Sequence, residues 1–233
     1  MTGKEAIRER IWDRLEADGI ARFPFPPSGR ITNFEGADET ARRAMATDEL
    51  STADAVKANP DAPQLPLRRR LLRDGTSVYM AVPRLADRAP FVELDPDRIH
   101  DYDAAATISK METHGERVSA GSVGELDAIV VGSVAVTERG ERIGKGEGYS
   151  DLEYAILREL GLLTGDTSVV TTVHDVQVVD DEIETRPHDV PVDVICTPTR
   201  TVRTGGGPTP EGVFWELLSE ERIDEIPVLD ALR

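Results

Sequence analysis

The sequence predicts an α/β fold of three layers, in which helices cover both faces of a mostly parallel, Rossmann-like sheet. Two observations support this prediction. Segments rich in β-branched residues alternate along the chain with segments of helical periodicity, which is the order that builds parallel sheets. One segment, LDAIVVGSVAV, is apolar almost throughout, as expected of a central strand covered on both faces. With 233 residues, 39% of them hydrophobic, the chain suits one domain over 1–233.

The individual elements follow from periodicity and from turn residues. In the first helix Ile7, Ile11 and Leu15 form one buried stripe. Helices are predicted over GKEAIRERIWDRLEADGI, ADETARRAMA, PLRRRLLRDG, DLEYAILREL and EGVFWELLSEER. Strands are predicted at ADAVKA, TSVYMAV, LDAIVVGSVAV, TSVVTTVHDVQVV and PVDVICTPT. The proline- and glycine-rich segments RFPFPPSGRITNFEG and TGGGPTP are predicted loops.

The charge of the chain restricts its partners. Lys and Arg number 27 and Asp and Glu number 44, so the formal net charge is −17, whereas general nucleic-acid binders carry basic faces. We therefore expect no nucleic-acid partner. Lysine occurs at only four positions and arginine supplies all other cations. This composition predicts an acidic, halophile-like protein of a salt-adapted cytoplasm, with an acidic mesophile protein as the alternative.

Cysteine usage and hydropathy indicate the compartment. Cys196 is the only cysteine, so an intrachain disulfide is impossible, and its apolar neighbours in VDVICTPT predict a buried core residue. The N-terminal segment is charged and lacks the apolar core of a signal peptide. No apolar run is long enough to cross a bilayer. A cytoplasmic location without a membrane partner is the expectation.

A glycine-rich stretch precedes one predicted helix in RIGKGEGYSDLEYAIL. Gly144, Gly146 and Gly148 alternate there with Lys145 and Glu147. Such a loop offers phosphate free backbone N–H groups and the positive end of a helix dipole. The spacing matches neither the Rossmann fingerprint nor the Walker loop, and a purely structural turn is the alternative.

Charged residues elsewhere are candidates for the same site. Lys4 and Arg8 project on the side of the buried stripe of the first helix, so they either reach past the core edge to solvent or meet an anion. Asp151 and Asp189 suit oxygen ligation of magnesium with phosphate completing the shell. The alternatives are a helix N-cap for Asp151 and a surface charge for Asp189.

Two His-Asp pairs are also present in the second half of the chain. His174 precedes Asp175 and His188 precedes Asp189, each near a predicted strand end. A metal site with two histidines is conceivable, but the pairs lack the close helical spacing of zinc enzymes. Magnesium fits the oxygen-rich set better.

The motif GERIGKGEGYSDLEYAI resembles the signature loop of the 5-formyltetrahydrofolate cyclo-ligase family, also called methenyltetrahydrofolate synthetases. The resemblance extends in the same order from KEAIR through LDAIVVGSVAVTERGERIGKGEG to HDVPVDVICTPT. GRITNFEGA, KANPDAPQLPLR and VHDVQVV resemble the branch of methenyltetrahydrofolate synthase domain-containing proteins more closely. The resemblance implies ATP- and Mg²⁺-dependent cyclisation of 5-formyltetrahydrofolate to 5,10-methenyltetrahydrofolate, with release of ADP and phosphate.

The resemblance also implies a role for each matching residue. It implies that ATP is bound by Lys4, Arg8, Arg142, Gly144, Lys145, Gly146, Glu147, Gly148, Tyr149 and Asp151. Catalytic roles fall to Arg142, Lys145 and Tyr149, substrate binding to Lys57, Tyr149 and Ser150, and Mg²⁺ binding to Asp151 and Asp189.

Three residues depart from the family pattern, and one of them is Gly132, which stands where the family usually has a proline. Glu147 stands where the family has a glycine, and Ser150 stands where it has a second tyrosine. A carboxylate in an anion-binding loop repels phosphate unless it turns away, pairs with a cation or helps to bind metal. The alternatives are therefore a nucleotide-binding paralogue acting on another pterin or a thiamine-related substrate, and a non-catalytic nucleotide-binding module. The expected partners are ATP and a reduced folate or similar small molecule, and the expected assembly is a monomer or homodimer.

Overall fold

The computed structural model describes residues 3–233, and an eight-stranded sheet is its central feature. The helices are α1 (Lys4–Ala17), α2 (Ala37–Met45), α3 (Asp48–Ser51), α4 (Leu65–Arg73), α5 (Tyr102–Ala105), α6 (Met111–His114), α7 (Tyr149–Glu159), α8 (Glu220–Asp224) and α9 (Pro227–Leu232). The strands are β1 (Ala21–Arg22), β2 (Asn33–Phe34), β3 (Ala55–Ala58), β4 (Ser77–Ala81), β5 (Phe91–Leu94), β6 (Glu116–Val118), β7 (Ala128–Val131), β8 (Ala135–Val136), β9 (Arg142–Ile143), β10 (Ser168–Thr172), β11 (Val194–Cys196) and β12 (Thr201–Arg203).

The sheet is mostly parallel, as the sequence predicts. Its strand order is β12-β11-β10-β7-β3-β4-β5-β6. The five central strands β11, β10, β7, β3 and β4 pair in parallel, whereas β12 on one side and β5 and β6 on the other pair antiparallel. The antiparallel strands therefore extend the parallel core at both of its edges.

Alternating side chains on the strands build a core on each face of the sheet. On β7, Ile129 and Val131 belong to one core, and Ala128 and Val130 belong to the other. Helices α7, α8 and α9 cover the first face, and α2, α4, α5 and α6 cover the second. The predicted three-layer arrangement is confirmed.

The strand order of the sheet reverses between the neighbouring strands β3 and β7. From β3 it continues to β4, β5 and β6 on one side, and it then returns to β7, β10 and β11 on the other. In open α/β sheets, ligands bind beyond the carboxyl ends of the strands at such a switch point. Residues 59–61 follow β3 and Gly132 follows β7, so these two segments border the expected site.

The prediction of one continuous strand over LDAIVVGSVAV is wrong. Strand β7 ends at Val131, and β8 pairs with β9 in a separate antiparallel hairpin. A Cβ atom on Gly132 would lie 2.8 Å from Oδ2 of Asp61 and 3.0 Å from the side chain of Ile31. The chain thus leaves the sheet where a neighbouring loop leaves no room for a side chain. The β8–β9 hairpin instead packs against α1 in a third, smaller core.

The prediction of one last helix over 211–222 is also wrong. The amide of Val213 donates to Oε2 of Glu159 at 2.8 Å, and a single 3₁₀ turn follows at Trp215–Leu217. Ser219 then caps a new helix, α8, by accepting a hydrogen bond from the amide of Arg222. The predicted helix is therefore divided into a 3₁₀ turn and a separate helix, α8, whose N-cap is Ser219.

The structure also bears on two sequence predictions, which concern Cys196 and membrane-spanning segments. Cys196 is fully buried in β11, and this burial raises the pKa of its thiol to about 11, so it is a core residue as predicted. Within residues 3–233, no helix has both the length and the apolar character that crossing a membrane requires.

A buried arginine fixes the loop that follows β3. Arg68 on α4 is 1% exposed. Its guanidinium donates to the carbonyl oxygens of Asn59 at 2.5 Å, Asp61 at 3.0 Å, Pro60 at 3.3 Å and Ala106 at 2.9 Å. The planar fork of donors suits several oxygens at once. Residues 59–61 are therefore held at the edge of the sheet by a side chain beneath them.

We predict that Arg68→Met destabilises the fold by about 3 kcal/mol, because it leaves buried carbonyl groups without donors. Arg69→Met is the matched control, since Arg69 forms a solvent-exposed ion pair with Asp103 and should cost less than about 1 kcal/mol. Urea unfolding of both variants measures the difference. Equal losses in the two variants would contradict the role given to Arg68.

Candidate functional site

A cavity of about 640 Å³ lies at the carboxyl edge of the sheet, where β3 and β7 end. Its walls are the first turns of α1, residues 59–61, the end of β4, the glycine loop 144–148 and the segment 186–189. Six cations line it, Lys4, Arg8, Arg84, Arg142, Lys145 and Arg186, together with five carboxylates, Asp61, Glu147, Asp151, Glu153 and Asp189. In a chain of net charge −17, this is a local concentration of positive charge.

The glycine loop has backbone angles that residues with a side chain rarely adopt. Gly146 has φ +106° and Gly148 has φ +72°, and both values lie in the left-handed region that favours glycine. A Cβ atom on Gly146 would lie 3.5 Å from the guanidinium carbon of Arg8. Helix α7 starts directly after Gly148, so the unpaired amides of its first turn lie beside the loop.

The two cations of α1 line the cavity. Arg8 donates from Nε to the carbonyl oxygen of Gly144 at 2.7 Å, and Nζ of Lys4 lies 2.5 Å from Oδ2 of Asp189. The side chains of Lys4 and Arg8 are 25% and 12% exposed, so neither simply reaches into solvent. Helix α1 is thereby connected to the glycine loop and to the segment that carries Asp189.

Arg142 and Asp151 form an ion pair at the centre of the site. The side chain of Arg142 is 4% exposed, and its Nη2 lies 2.5 Å from Oδ1 of Asp151. Nη1 of Arg142 donates to the carbonyl oxygen of Gly132 at 3.0 Å. The N-cap of α7 is Gly148, so the N-cap interpretation of Asp151 is wrong. Asp151 instead binds a cation from within the first turn of the helix.

Glu147 pairs with the cation of its own loop. Oε2 of Glu147 lies 2.7 Å from Nζ of Lys145, and both side chains are partly exposed. The carboxylate that would repel an anion is therefore neutralised by Lys145. The same contact occupies the ammonium group that the resemblance assigns to ATP.

Asp151 and Asp189 converge on one peptide segment. Oδ1 of Asp151 accepts a hydrogen bond from the amide of Val190 at 3.0 Å, and Val190 directly follows Asp189. Within residues 3–233, Oδ2 of Asp151 and Oδ1 of Asp189 accept no hydrogen bond, and no group of three or more metal-binding side chains forms. Magnesium is commonly bound by one or two carboxylates together with phosphates and water. These two aspartates fit a magnesium ion that enters with a nucleotide.

The three residues predicted to bind substrate lie at different depths. Tyr149 and Ser150 line the cavity. Lys57 is 1% exposed and lies beneath the cavity, where its ammonium donates to Oδ1 of Asn59 at 2.5 Å and pairs with the buried carboxylate of Glu153. Asn59 in turn donates to the hydroxyl of Ser150 at 3.3 Å. Lys57 therefore acts on the cavity through its neighbours.

Two further residues, Asp61 and Arg84, line the cavity without a predicted site role. Asp61 is partly buried, and this burial raises the pKa of its carboxyl group, while Lys145 and Arg68 oppose the rise. Arg84 lines the opposite wall with φ +60°, an uncommon conformation for a residue with a side chain. The position of Asp61 just beyond a buried parallel strand is the signal that could have identified it.

The histidines do not form a metal centre in the described part of the chain. His174 begins a 3₁₀ turn, where its Nδ1 accepts a hydrogen bond from the amide of Val176, and burial lowers its pKa. His188 lines the cavity and packs edge-on against Phe214. The two histidines therefore belong to different parts of the structure.

We predict that Lys57→Met destabilises the fold by about 3 kcal/mol, because it leaves the carboxylate of Glu153 buried without a cation. The double variant Lys57→Met/Glu153→Leu should recover most of this loss, since neither charge then remains. Urea unfolding of the single and double variants gives the coupling. Additive losses would mean that the pair does not stabilise the fold as a unit.

Comparisons with known proteins identify the family of the chain. The sequence model of the 5-formyltetrahydrofolate cyclo-ligase family matches residues 1–198. The chain is 43% identical to the methenyltetrahydrofolate synthase domain-containing protein of Mus musculus and 39% identical to that of Homo sapiens, in each case over 99% of its own length. It spans 63% and 61% of those two relatives.

A more distant relative and a solved structure extend the comparison. The 5-formyltetrahydrofolate cyclo-ligase of Mycolicibacterium smegmatis is 35% identical over 81 residues, which are 35% of this chain and 38% of that protein. The structure of Aquifex aeolicus 5,10-methenyltetrahydrofolate synthetase is similar with a TM-score of 0.52 and 19% identity, over 91% of this chain and 98% of that one, which supports the fold. From the family match, the chain belongs to the 5-formyltetrahydrofolate cyclo-ligase family.

Proposed function

We propose that this chain is an ATP- and Mg²⁺-dependent ligase that cyclises 5-formyltetrahydrofolate to 5,10-methenyltetrahydrofolate. One observation carries the proposal. The cations of α1, the glycine loop and the aspartates Asp151 and Asp189 meet in one cavity at the switch point of a parallel sheet. Family membership supports the same reaction class.

The proposed reaction has two steps. The formyl oxygen of the substrate first attacks the γ-phosphorus of ATP, and the bond to the leaving ADP oxygen breaks. The neighbouring amine nitrogen then attacks the activated formyl carbon, the carbon–oxygen bond to phosphate breaks, and the amine loses its proton. ADP and inorganic phosphate are the by-products. Most of the catalytic demand is therefore positioning and charge stabilisation.

The glycine loop and its cations supply that stabilisation. The amides of the loop and of the first turn of α7 donate hydrogen bonds to the phosphate oxygens, and Lys145 and Arg142 add full positive charges. Arg8 fixes the loop by its hydrogen bond to the carbonyl of Gly144. Lys4 reaches the same region from the start of α1. Tyr149 stands where the loop meets the helix, beside the reacting groups.

Asp151 and Asp189 are the residues that would hold magnesium. The ion would neutralise charge on the phosphate oxygens during transfer. Each aspartate has one carboxylate oxygen that accepts no hydrogen bond from the described residues. Arg142 and Lys4 hold the two carboxylates in place through their ion pairs.

Binding of ATP requires an exchange of ion pairs in this chain. Lys145 is paired with Glu147, so a phosphate must displace that carboxylate. Both side chains are partly exposed, and exposed pairs of this kind are worth only about 0.2–1 kcal/mol. The free energy lost by breaking this pair is therefore small compared with the electrostatic attraction of a triphosphate, which carries several charges.

The opposite wall of the cavity offers an apolar surface for a pterin ring. Its side chains are Ile31, Ala81, Val82, Pro83 and Ile108. Asp61 and Asn59 add polar groups at the border between this surface and the glycine loop. An apolar surface with a few polar groups is typical of small-molecule sites.

A second candidate function keeps the nucleotide and changes the other substrate. Ser150 replaces a family tyrosine, and its hydroxyl is tied to Asn59 rather than offering an aromatic ring to a ligand. This observation favours another pterin or a thiamine-related compound as the alternative substrate. A non-catalytic nucleotide-binding module is the remaining alternative. Unlike the two enzymes, it would bind ATP without converting any substrate.

We also propose the biological setting that the composition predicts. Residues 1–233 act as a single cytoplasmic domain, as a monomer or homodimer, with no nucleic-acid partner. The packing of α8 and α9 into the same core as α7 supports the single domain. The net charge of −17 supports the exclusion of nucleic acid.

Turnover tests the proposed reaction directly. Purified protein in high KCl, supplied with Mg-ATP and 5-formyltetrahydrofolate, should produce methenyl absorbance and one phosphate for each product formed. ATP binding without turnover would reject the cyclo-ligase and leave the alternatives. Thermal shifts with other pterins and with pyrimidines would then distinguish a changed substrate from a non-catalytic module.

We predict that Lys145→Ala weakens Mg-ATP binding by about tenfold or more, because a charge-assisted contact to phosphate is lost. Lys110→Ala is the matched control, since Lys110 lies outside the cavity and should leave the affinity unchanged. Isothermal calorimetry measures both. Equal affinities for the two variants would remove Lys145 from the phosphate site.

A further inference from the structure

The C-terminal segment 199–233 lies beyond the part of the chain that the family model matches. It nevertheless belongs to the same structural unit. Strand β12 pairs with β11, and α8 and α9 contribute Ile223, Ile226, Val228 and Leu229 to the core that also contains α7. The segment therefore forms part of the face on which the glycine loop is built.

Two contacts connect this segment to the borders of the site. The amide of Val213 donates to Oε2 of Glu159 at 2.8 Å, at the far end of α7. The ring of Phe214 packs edge-on against His188, with centroids 6.3 Å apart, and His188 directly precedes Asp189. These contacts bring the C-terminal segment against both elements that carry the aspartates.

A third contact reaches the glycine loop itself. The guanidinium carbon of Arg222 lies 4.2 Å from the centroid of the Tyr149 ring. Nη1 of Arg222 donates to the hydroxyl of Tyr149 at 2.8 Å, and Nη2 donates to the carbonyl oxygen of Glu147 at 3.2 Å. One side chain thus contacts the last part of the loop and the first residue of α7.

We propose that Arg222 is a positioning residue that keeps the glycine loop and Tyr149 in the conformation that binds the nucleotide. This inference rests on the proposed function, because it concerns the same site. Arg222 does not line the cavity, so it acts through Tyr149 and Glu147 rather than on a ligand. The segment outside the family match thereby completes the site in this chain.

The surroundings of Arg222 favour this role. Ser219 caps α8 through the amide of Arg222, so the backbone of this residue is fixed. Its other charged neighbour, Glu225, is 3.9 Å away and exposed, and it competes weakly for the guanidinium. The side chain of Arg222 is 27% exposed, and a cation partly shielded from water interacts more strongly with an aromatic face.

Hydrogen exchange of the free protein tests the positioning role without any ligand. In Arg222→Ala, the amides of Leu152 and Glu153 in the first turns of α7 should exchange about tenfold faster than in the wild type. Arg233→Ala is the matched control, because Arg233 pairs with Glu220, which lies on α8 like Arg222, and does not contact the loop. In this variant the exchange rates of the same amides should stay within about twofold of the wild type. Unchanged rates in Arg222→Ala would overturn the proposal.

Nucleotide binding provides the second measurement. Arg222→Ala should weaken Mg-ATP binding by about tenfold at an unchanged urea midpoint, and Arg222→Lys should recover part of the affinity by restoring the cation. In a Tyr149→Leu background, Arg222→Ala should cause a smaller loss than in the wild type, because only its hydrogen bond to the carbonyl oxygen of Glu147 remains to be removed. An equal loss in both backgrounds would overturn the proposal. If the wild type does not bind Mg-ATP, the proposed function fails, and hydrogen exchange alone decides the role of Arg222.

Discussion

The structure depends on bringing cations together inside a strongly acidic chain without leaving any of them buried and unpaired. Arg142 meets Asp151, Lys4 meets Asp189 and Lys145 meets Glu147, so each cation has a carboxylate within a short distance. A buried charge without a partner costs several kcal/mol, and the pairing of the buried Arg142 with Asp151 removes that cost in the resting protein. We propose that a phosphate displaces Glu147 from the exposed pair with Lys145, while Arg142 and Lys4 keep Asp151 and Asp189 in place.

The scaffold around this cavity is fixed by buried polar contacts. Arg68 holds the loop after β3 from below, and Lys57 joins β3 to α7 through Glu153. The two segments that border the switch point are thus attached to the sheet and to the helix that starts at the glycine loop. The loop can expose its amides because the elements around it are rigid.

The sequence predicts the layers of the fold and much of the site, for reasons that are local. Helical spacing places Lys4 and Arg8 beside the buried stripe of α1, and the alternating glycines predict the anion loop. Contacts between distant parts of the chain could not be predicted in this way. Lys57 and Glu153 are 96 residues apart, and Arg222 and Tyr149 are 73 residues apart. The break after β7 also depends on Asp61, a neighbour only in space.

The central claim is that a triphosphate replaces Glu147 as the partner of Lys145 in the cavity. A crystal structure with magnesium and a non-hydrolysable ATP analogue, grown in high KCl, tests it most directly. We expect phosphate density between the α1 cations and the glycine loop, with Lys145 turned from Glu147 to the ligand. Density at another place, or a bound nucleotide that leaves the Lys145–Glu147 pair intact, would contradict it.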